Sequence, residues 1–160
     1  MRLVIAAVGK LKDGAERELY ARYADRVAVS GRGVALWPLD LREIPEGKAG
    51  VRDVRMADEA ERLLGKVRGA SVRILLDEGG KAMTSAAFAR LLQGYRDRGE
   101  ADVAFLIGGP DGHGDTARVA AQATLSLGPM TLPHGLARIV LAEQIYRATT
   151  ILSGHPYHRA

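Results

Sequence analysis

The sequence predicts an α/β fold, a mostly parallel sheet flanked by helices, and three observations carry that expectation. Three short continuous apolar runs, Val72-Arg73-Ile74-Leu75-Leu76, Val103-Ala104-Phe105-Leu106-Ile107 and Ala123-Thr124-Leu125-Ser126-Leu127, read as strands covered on both faces. Segments with helical apolar spacing separate them. Each run leads directly into a glycine-rich turn, and strand–helix alternation of this kind belongs to parallel sheets.

The elements follow in chain order. Arg2 to Val8 is an apolar buried strand. Asp13 to Val27 carries Leu19, Tyr20, Tyr23 and Val27 at helical spacing. Val34 to Leu41 alternates as a second strand, and Pro38 pushes it toward a sheet edge because proline has no N–H to give a ladder. Glu43 to Val51, with Pro45, Gly47 and Gly50, is a loop. Arg52 to Val67 is a charged amphipathic helix with Val54, Met56, Leu63 and Leu64. After the third strand a helix starts near Thr84 or Ser85, both capping residues, and runs to about Arg98. Another covers Asp115 to Gln122. The last runs from about Leu136 to Leu152 and stops at Gly154, a C-cap glycine. Its apolar residues, Leu136, Ile139, Val140, Leu141, Ile145, Tyr146, Ile151 and Leu152, cover nearly the whole circumference. A helix of that kind is buried on all sides, either in a core or at a subunit interface, and the sequence favours neither.

The 160 residues fit one domain, 1–160, with no repeat or low-complexity tract. There is no cysteine, which excludes disulfides, thiolate metal sites and a cysteine nucleophile and suits a reducing compartment. No stretch approaches the roughly 18 apolar residues of a membrane span, and the N-terminal run lacks a signal-peptide cleavage site. The expectation is a soluble, cytoplasmic protein. The net charge of +4, mostly from arginine, permits an anionic partner such as nucleic acid.

Three turns follow the three apolar runs: Asp77-Glu78-Gly79-Gly80-Lys81, Gly108 to Gly114, and Gly128 to Gly135. Each alone is ordinary turn chemistry. Together, at the carboxyl ends of neighbouring parallel strands, they predict one ligand pocket. The ligand is not read by a dinucleotide fingerprint, because the second turn gives Gly109-x-x-Gly112-x-Gly114 instead of G-x-G-x-x-G. Nor is the turn a P-loop, since Asp115 stands before Thr116 where the motif needs lysine. No G-x-S-x-G nucleophile turn is present. The tail, His155-Pro156-Tyr157-His158-Arg159, is rich in proton-handling and base-stacking groups. His155 and His158 with His134 suggest metal ligands. The absence of H-E-x-x-H and of cysteine, with Pro156 between the pair, argues instead for no metal.

Four segments in order, Leu106-Ile107-Gly108-Gly109-Pro110-Asp111-Gly112, Met130-Thr131-Leu132-Pro133-His134, Glu143-Gln144-Ile145-Tyr146-Arg147-Ala148 and His155-Pro156-Tyr157-His158-Arg159, resemble the signatures of the ribosomal RNA large subunit methyltransferase H family of the SPOUT superfamily. The resemblance spans the chain. Two departures are Asp111, where glutamate is more usual, and Gly135, where proline often follows the histidine. The resemblance implies a SPOUT-type fold with a C-terminal trefoil knot, which general topology rules would not have suggested. It implies a homodimer and the methyl donor S-adenosylmethionine. The implied acceptor is N3 of pseudouridine 1915 in helix 69 of 23S rRNA, on the assembled 70S ribosome. Carried over by residue, the donor pocket comprises Leu76, Gly109, Gly128, Pro129, Met130, Thr131, Leu132 and Pro133. His134 becomes the first choice of base for the N3 proton, with Arg147, Tyr157 and Arg159 positioning the base and its phosphates or stabilising the deprotonated ring. The tail of one subunit is implied to complete the site of the other. The competing readings are a noncatalytic RNA-binding protein and a nucleotide-dependent oxidoreductase, which the broken fingerprint disfavours.

Overall fold

The structure, a computed structural model, describes residues 1–158; Arg159 and Ala160 lie outside the described residues. The elements are β1 (Arg2–Val8), α1 (Ala15–Gly33), β2 (Leu39–Ile44), α2 (Arg52–Lys66), β3 (Val72–Ala82), α3 (Ser85–Asp97), β4 (Asp102–Ile107), α4 (Asp115–Ala120), β5 (Ala123–Ser126), α5 (His134–Ser153) and a short 3-10 turn, Pro156–His158. The strands form one sheet in the order β2-β1-β4-β3-β5, and each described pairing is parallel.

Strand side chains alternate between two apolar layers, which is why the runs are continuous. In β1, Leu3, Ile5 and Ala7 face the layer under α1, α3 and α5, while Val4, Ala6 and Val8 face the layer under α2 and α4. In β4, Val103, Phe105 and Ile107 face the first layer, and Ala104 and Leu106 the second. Thr84 caps α3, its hydroxyl accepting from the Ala87 amide at 3.2 Å, an interaction worth about 1 kcal/mol. Gly154 ends α5 at φ +71, as a C-cap glycine does.

Beyond one- or two-residue shifts at helix ends, five boundaries differ from those the sequence predicts. The second strand does not stop at Leu41: it runs on through Glu43 to Ile44, assigned above to a loop, because both residues pair with β1. The second strand starts at Leu39 instead of Val34, because residues 34–38 form an irregular turn around Ala35 at φ +55. Pro38 still enters the sheet as an acceptor, its carbonyl taking the Leu3 amide at 2.8 Å, and β2 is the edge strand that proline predicted. Helix α1 continues six residues past Val27 because Gly31 packs beneath the returning carbonyl of Leu36. The turn Asp77 to Lys81 proves to be a bulge within a long β3, which resumes pairing with β5 at Lys81 and Ala82. Gly80 is required there, since a Cβ would lie 2.7 Å from the Leu125 backbone. Helix α5 begins at His134, with the Pro133 carbonyl accepting the Ala137 amide, so His134 sits in the first turn and not before it.

Most of the apolar circumference of α5 is accounted for within one chain. Ile139, Leu141, Ala142, Ile145 and Ala148 are buried, and the helix packs between α1 and α3. Leu136 remains 42 % exposed and Val140 half-buried, while Ile151, also half-buried, packs against the core.

Candidate active site

The carboxyl ends of β3, β4 and β5 open into a cleft of about 820 Å³, within the size range of small-molecule sites. All three glycine-bearing turns line it. Of the sequence-derived donor residues, Leu76, Gly109, Gly128, Met130, Thr131, Leu132 and Pro133 lie on its wall; Pro129, exposed in the same turn, does not. His134 lies on the wall, half-buried, at the amino end of α5. Gly128 presents bare backbone at φ +128, a conformation other residues avoid, with nothing within 4 Å of where a Cβ would stand. The glycines of the second turn have internal causes instead. A Cβ at Gly108 would lie 2.6 Å from the Gly112 carbonyl, and one at Gly109 would lie 2.5 Å from the Glu59 carboxylate.

Several contacts among wall residues carried no signal in the sequence because the partners are distant in the chain. His113 is buried, and its Nε2 meets the Leu76 carbonyl at 2.9 Å, tying the second turn to the residue before the β3 bulge. The carbonyl is an acceptor, so Nε2 carries the hydrogen and Nδ1 has only a lone pair. Burial pushes the imidazole below its ordinary value of 6.5, Arg118 adds to that, and the Leu76 bond and Asp77 oppose it. Asp77 pairs with Arg118 at 2.8 Å. Burial raises the Asp77 carboxyl, but the Gly79 amide and Arg118 outweigh it, and the net shift is downward. Asp111 is held by Arg55 at 2.6 Å and Arg52 at 3.6 Å. Thr131 donates to Glu78 at 3.4 Å, bridging the third turn to the first.

This wiring makes a pH prediction. The folded state keeps His113 neutral while the unfolded chain protonates near 6.5. Its contribution is therefore fully present above about pH 6.5 and is lost as pH falls toward the lower folded value. Asp77 also loses its contribution on acidification, but only below its ordinary 3.8. Melting temperatures measured from pH 7 to 5 should fall for the native chain and stay flatter for His113→Phe. Parallel curves would refute the assignment.

A second constellation lies far along α5. The Glu143 carboxylate accepts from Arg147 at 2.8–3.0 Å, from the Tyr157 hydroxyl at 3.2 Å and from Gln144 at 2.7 Å. Tyr157 packs against Tyr146 with the rings tilted by 55° and their centroids 4.6 Å apart, and the Arg147 guanidinium lies 5.0 Å from the centre of the Tyr157 ring. Burial, with Glu143 and Tyr23 beside it, pushes the Tyr157 phenol up to about 12, so it serves as a hydrogen-bond donor. Arg147 is thirteen residues after His134 on the same helix, about 20 Å at 1.5 Å per residue. One chain thus brings His134 to the donor-type cleft and leaves Arg147 and Tyr157 away from it. Arg159 lies outside the described residues. Glu143, the hub, appeared in the sequence only inside a family signature.

A parallel sheet with a backbone-lined cleft at its carboxyl ends defines an α/β ligand-binding enzyme scaffold. A family model described as "Predicted SPOUT methyltransferase" matches residues 1–158. The protein "Ribosomal RNA large subunit methyltransferase H" of Rhizobium etli is 51% identical over 159 residues, 99% of each chain. That of Xanthobacter autotrophicus is 49% identical over 160 residues, all of each chain. Among solved structures, a probable methylase family protein from Haemophilus influenzae Rd KW20 superposes with a TM-score of 0.55 at 12% identity, over 99% of this chain and 70% of that one. TrmJ from Z. mobilis ZM4 gives 0.52 at 16%, over 94% and 70%. The chain belongs to the SPOUT methyltransferases, and within them to the ribosomal RNA large subunit methyltransferase H family.

Proposed function

We propose that this protein methylates N3 of a pseudouridine in helix 69 of 23S rRNA, on the assembled 70S ribosome, using S-adenosylmethionine. It acts as a homodimer with a trefoil-knotted C-terminal segment. The observation that carries the reading is the division of labour along α5: a donor-type cleft at one end, an acceptor-type cluster of Arg147 and Tyr157 at the other. A C2 dimer that lays the tail of one protomer across the cleft of its partner unites them, and the exposed outer side of α5 at Leu136 is available for that contact.

The cleft fits the donor. Leu76, Ile107 and Leu132 supply apolar walls for an adenine ring, and the 128–133 turn supplies backbone edges for its polar atoms. When bound, the donor supplies a methyl carbon whose leaving group is a neutral thioether. The protein's own work is to align N3 with that carbon and to remove the N3 proton as the N–C bond forms. His134 takes that proton in this reading. The Arg147 guanidinium stabilises the anionic ring, and Tyr157 donates to it as a neutral phenol.

The test is methyl transfer from labelled donor to 70S ribosomes lacking the modification, read by mass spectrometry of the helix 69 fragment. One added methyl on the pseudouridine is expected. Deleting residues 155–160 should abolish transfer with donor affinity and the dimer intact. Donor binding without any transfer would move the acceptor elsewhere, and no donor binding would favour a noncatalytic RNA-binding protein.

A further inference from the structure

Helix α2 carries a charge pattern that the methyl-transfer chemistry does not use. Arg52, Arg55, Arg62 and Lys66 follow one another at intervals of three, seven and four residues, which places them on one helix face. Glu59 shares that line but is 2 % exposed, with Oε1 accepting from the Gly47 amide at 2.7 Å, so the outward part of the stripe is basic. Asp53 and Glu61 lie round the helix from it.

The stripe joins two concavities. Its first residue, Arg52, lines the cleft described above. Its last two, Arg62 and Lys66, line a separate groove of about 560 Å³ with Lys10, Glu43 and Pro45. Fifteen residues of helix put the two ends about 20 Å apart. Lys10 follows β1 and Pro45 follows β2, so the groove opens at the same end of the sheet as the cleft. The strand order β2-β1-β4-β3-β5 sets groove and cleft side by side along that end.

Cations here exceed their partners. Arg52 and Arg55 share Asp111, and Arg62 pairs with Asp58 at 2.6 Å. Glu43 is neutralised by the buried Arg138 at 2.8 Å. Among the described residues, no carboxylate stands within ion-pair distance of Lys10 or Lys66, and both are exposed. A line of cations one or two turns apart, three of them planar guanidinium forks, suits a chain of phosphates.

We propose that the α2 stripe and the Lys10–Lys66 groove bind the phosphate backbone of the RNA strand flanking the nucleotide held in the cleft. This rests on the RNA acceptor proposed above.

The experiment compares the native dimer with Lys10→Gln/Lys66→Gln, using fluorescence anisotropy on a labelled 23S rRNA fragment containing helix 69 over a series of salt concentrations. Removing one lysine–phosphate interaction should lower the slope of log affinity against log salt by about 0.7–0.9, so the double variant should lose about 1.5. Affinity for S-adenosylhomocysteine, by calorimetry, should not change. Arg90→Gln/Arg98→Gln on the α3 side, across the sheet, removes the same charge and should keep the native slope. An unchanged slope in the lysine variant, an equal loss in the arginine control, or no RNA binding by the native chain overturns the proposal. Binding of polyglutamate in place of RNA, abolished by the lysine changes, overturns it in favour of an acidic protein partner. Failure of the native chain to bind S-adenosylhomocysteine would instead sink the methyl-transfer reading, and the salt slopes would still decide the stripe.

Discussion

An equimolar mixture of His134→Ala chains and chains lacking residues 155–160, each inactive alone, is expected to regain about a quarter of native methyl transfer once subunits exchange. The reasoning is geometric. Within one chain, His134 stands at the amino end of α5, while Tyr157 packs on Tyr146 and bonds Glu143 beyond the middle of the helix. If the tail serves the partner's cleft, a mixed dimer contains one complete site: the histidine of the truncated chain and the tail of the other. Random pairing makes about half the dimers mixed, each with one of two sites working, which sets the expected quarter. If the tail serves its own cleft, no mixed dimer contains a complete site and the mixture stays inactive. The two outcomes differ by the whole signal. Calorimetry on each variant would show intact donor binding, separating loss of chemistry from loss of the cleft.

The parallel α/β architecture was legible because its signal is local. A strand buried on both faces must be largely apolar, and Leu3–Val8 of β1, Ile74–Leu76 of β3 and Val103–Ile107 of β4 are. The convergence of three turns on one cleft was legible for a topological reason, since parallel strands send all their carboxyl ends to one side. What stayed hidden depends on pairs of residues far apart in sequence. Nothing near His113 announces that its ring bonds the carbonyl of Leu76, thirty-seven residues earlier. The glycines of the second turn looked like ligand contacts, and most are explained by Glu59, Gly112 and other internal neighbours. Gly135 masked the start of α5, because a glycine in a first turn reads as a loop. A Cβ there would meet the tip of the Glu16 side chain, which is exposed. The basic line on α2 was visible as charge but not as a connection, until the fold put one end in the cleft and the other in a groove.

Arg138→Met is expected to cost about 3 kcal/mol of stability. Arg138 lies on α5 one turn after His134, and its side chain is 2 % exposed. One nitrogen donates to Glu43 at 2.8 Å and another to the Val8 carbonyl at 2.6 Å, fastening α5 to the ends of β2 and β1. Burial pushes the guanidinium below its ordinary value, while Glu43 and Glu16 oppose that, so the charge is sustained by its carboxylates. Methionine fills similar volume but leaves Glu43, itself 14 % exposed, with only the Leu11 amide at 2.8 Å. A buried charge stripped of its partner is what makes such a substitution costly, more than the loss of the attraction itself. In a chain of this length the melting temperature should fall by roughly 10 °C. The double variant Arg138→Met/Glu43→Gln removes the orphaned charge and should recover much of that loss, a non-additivity that a double-mutant cycle reads directly. A single variant that melts within about 2 °C of the native protein, less than 1 kcal/mol, would show that the pair is solvated and α5 is held by packing alone. Because the same turn carries His134, a destabilised Arg138→Met that still folds should also transfer methyl groups more slowly, with donor affinity less affected than turnover.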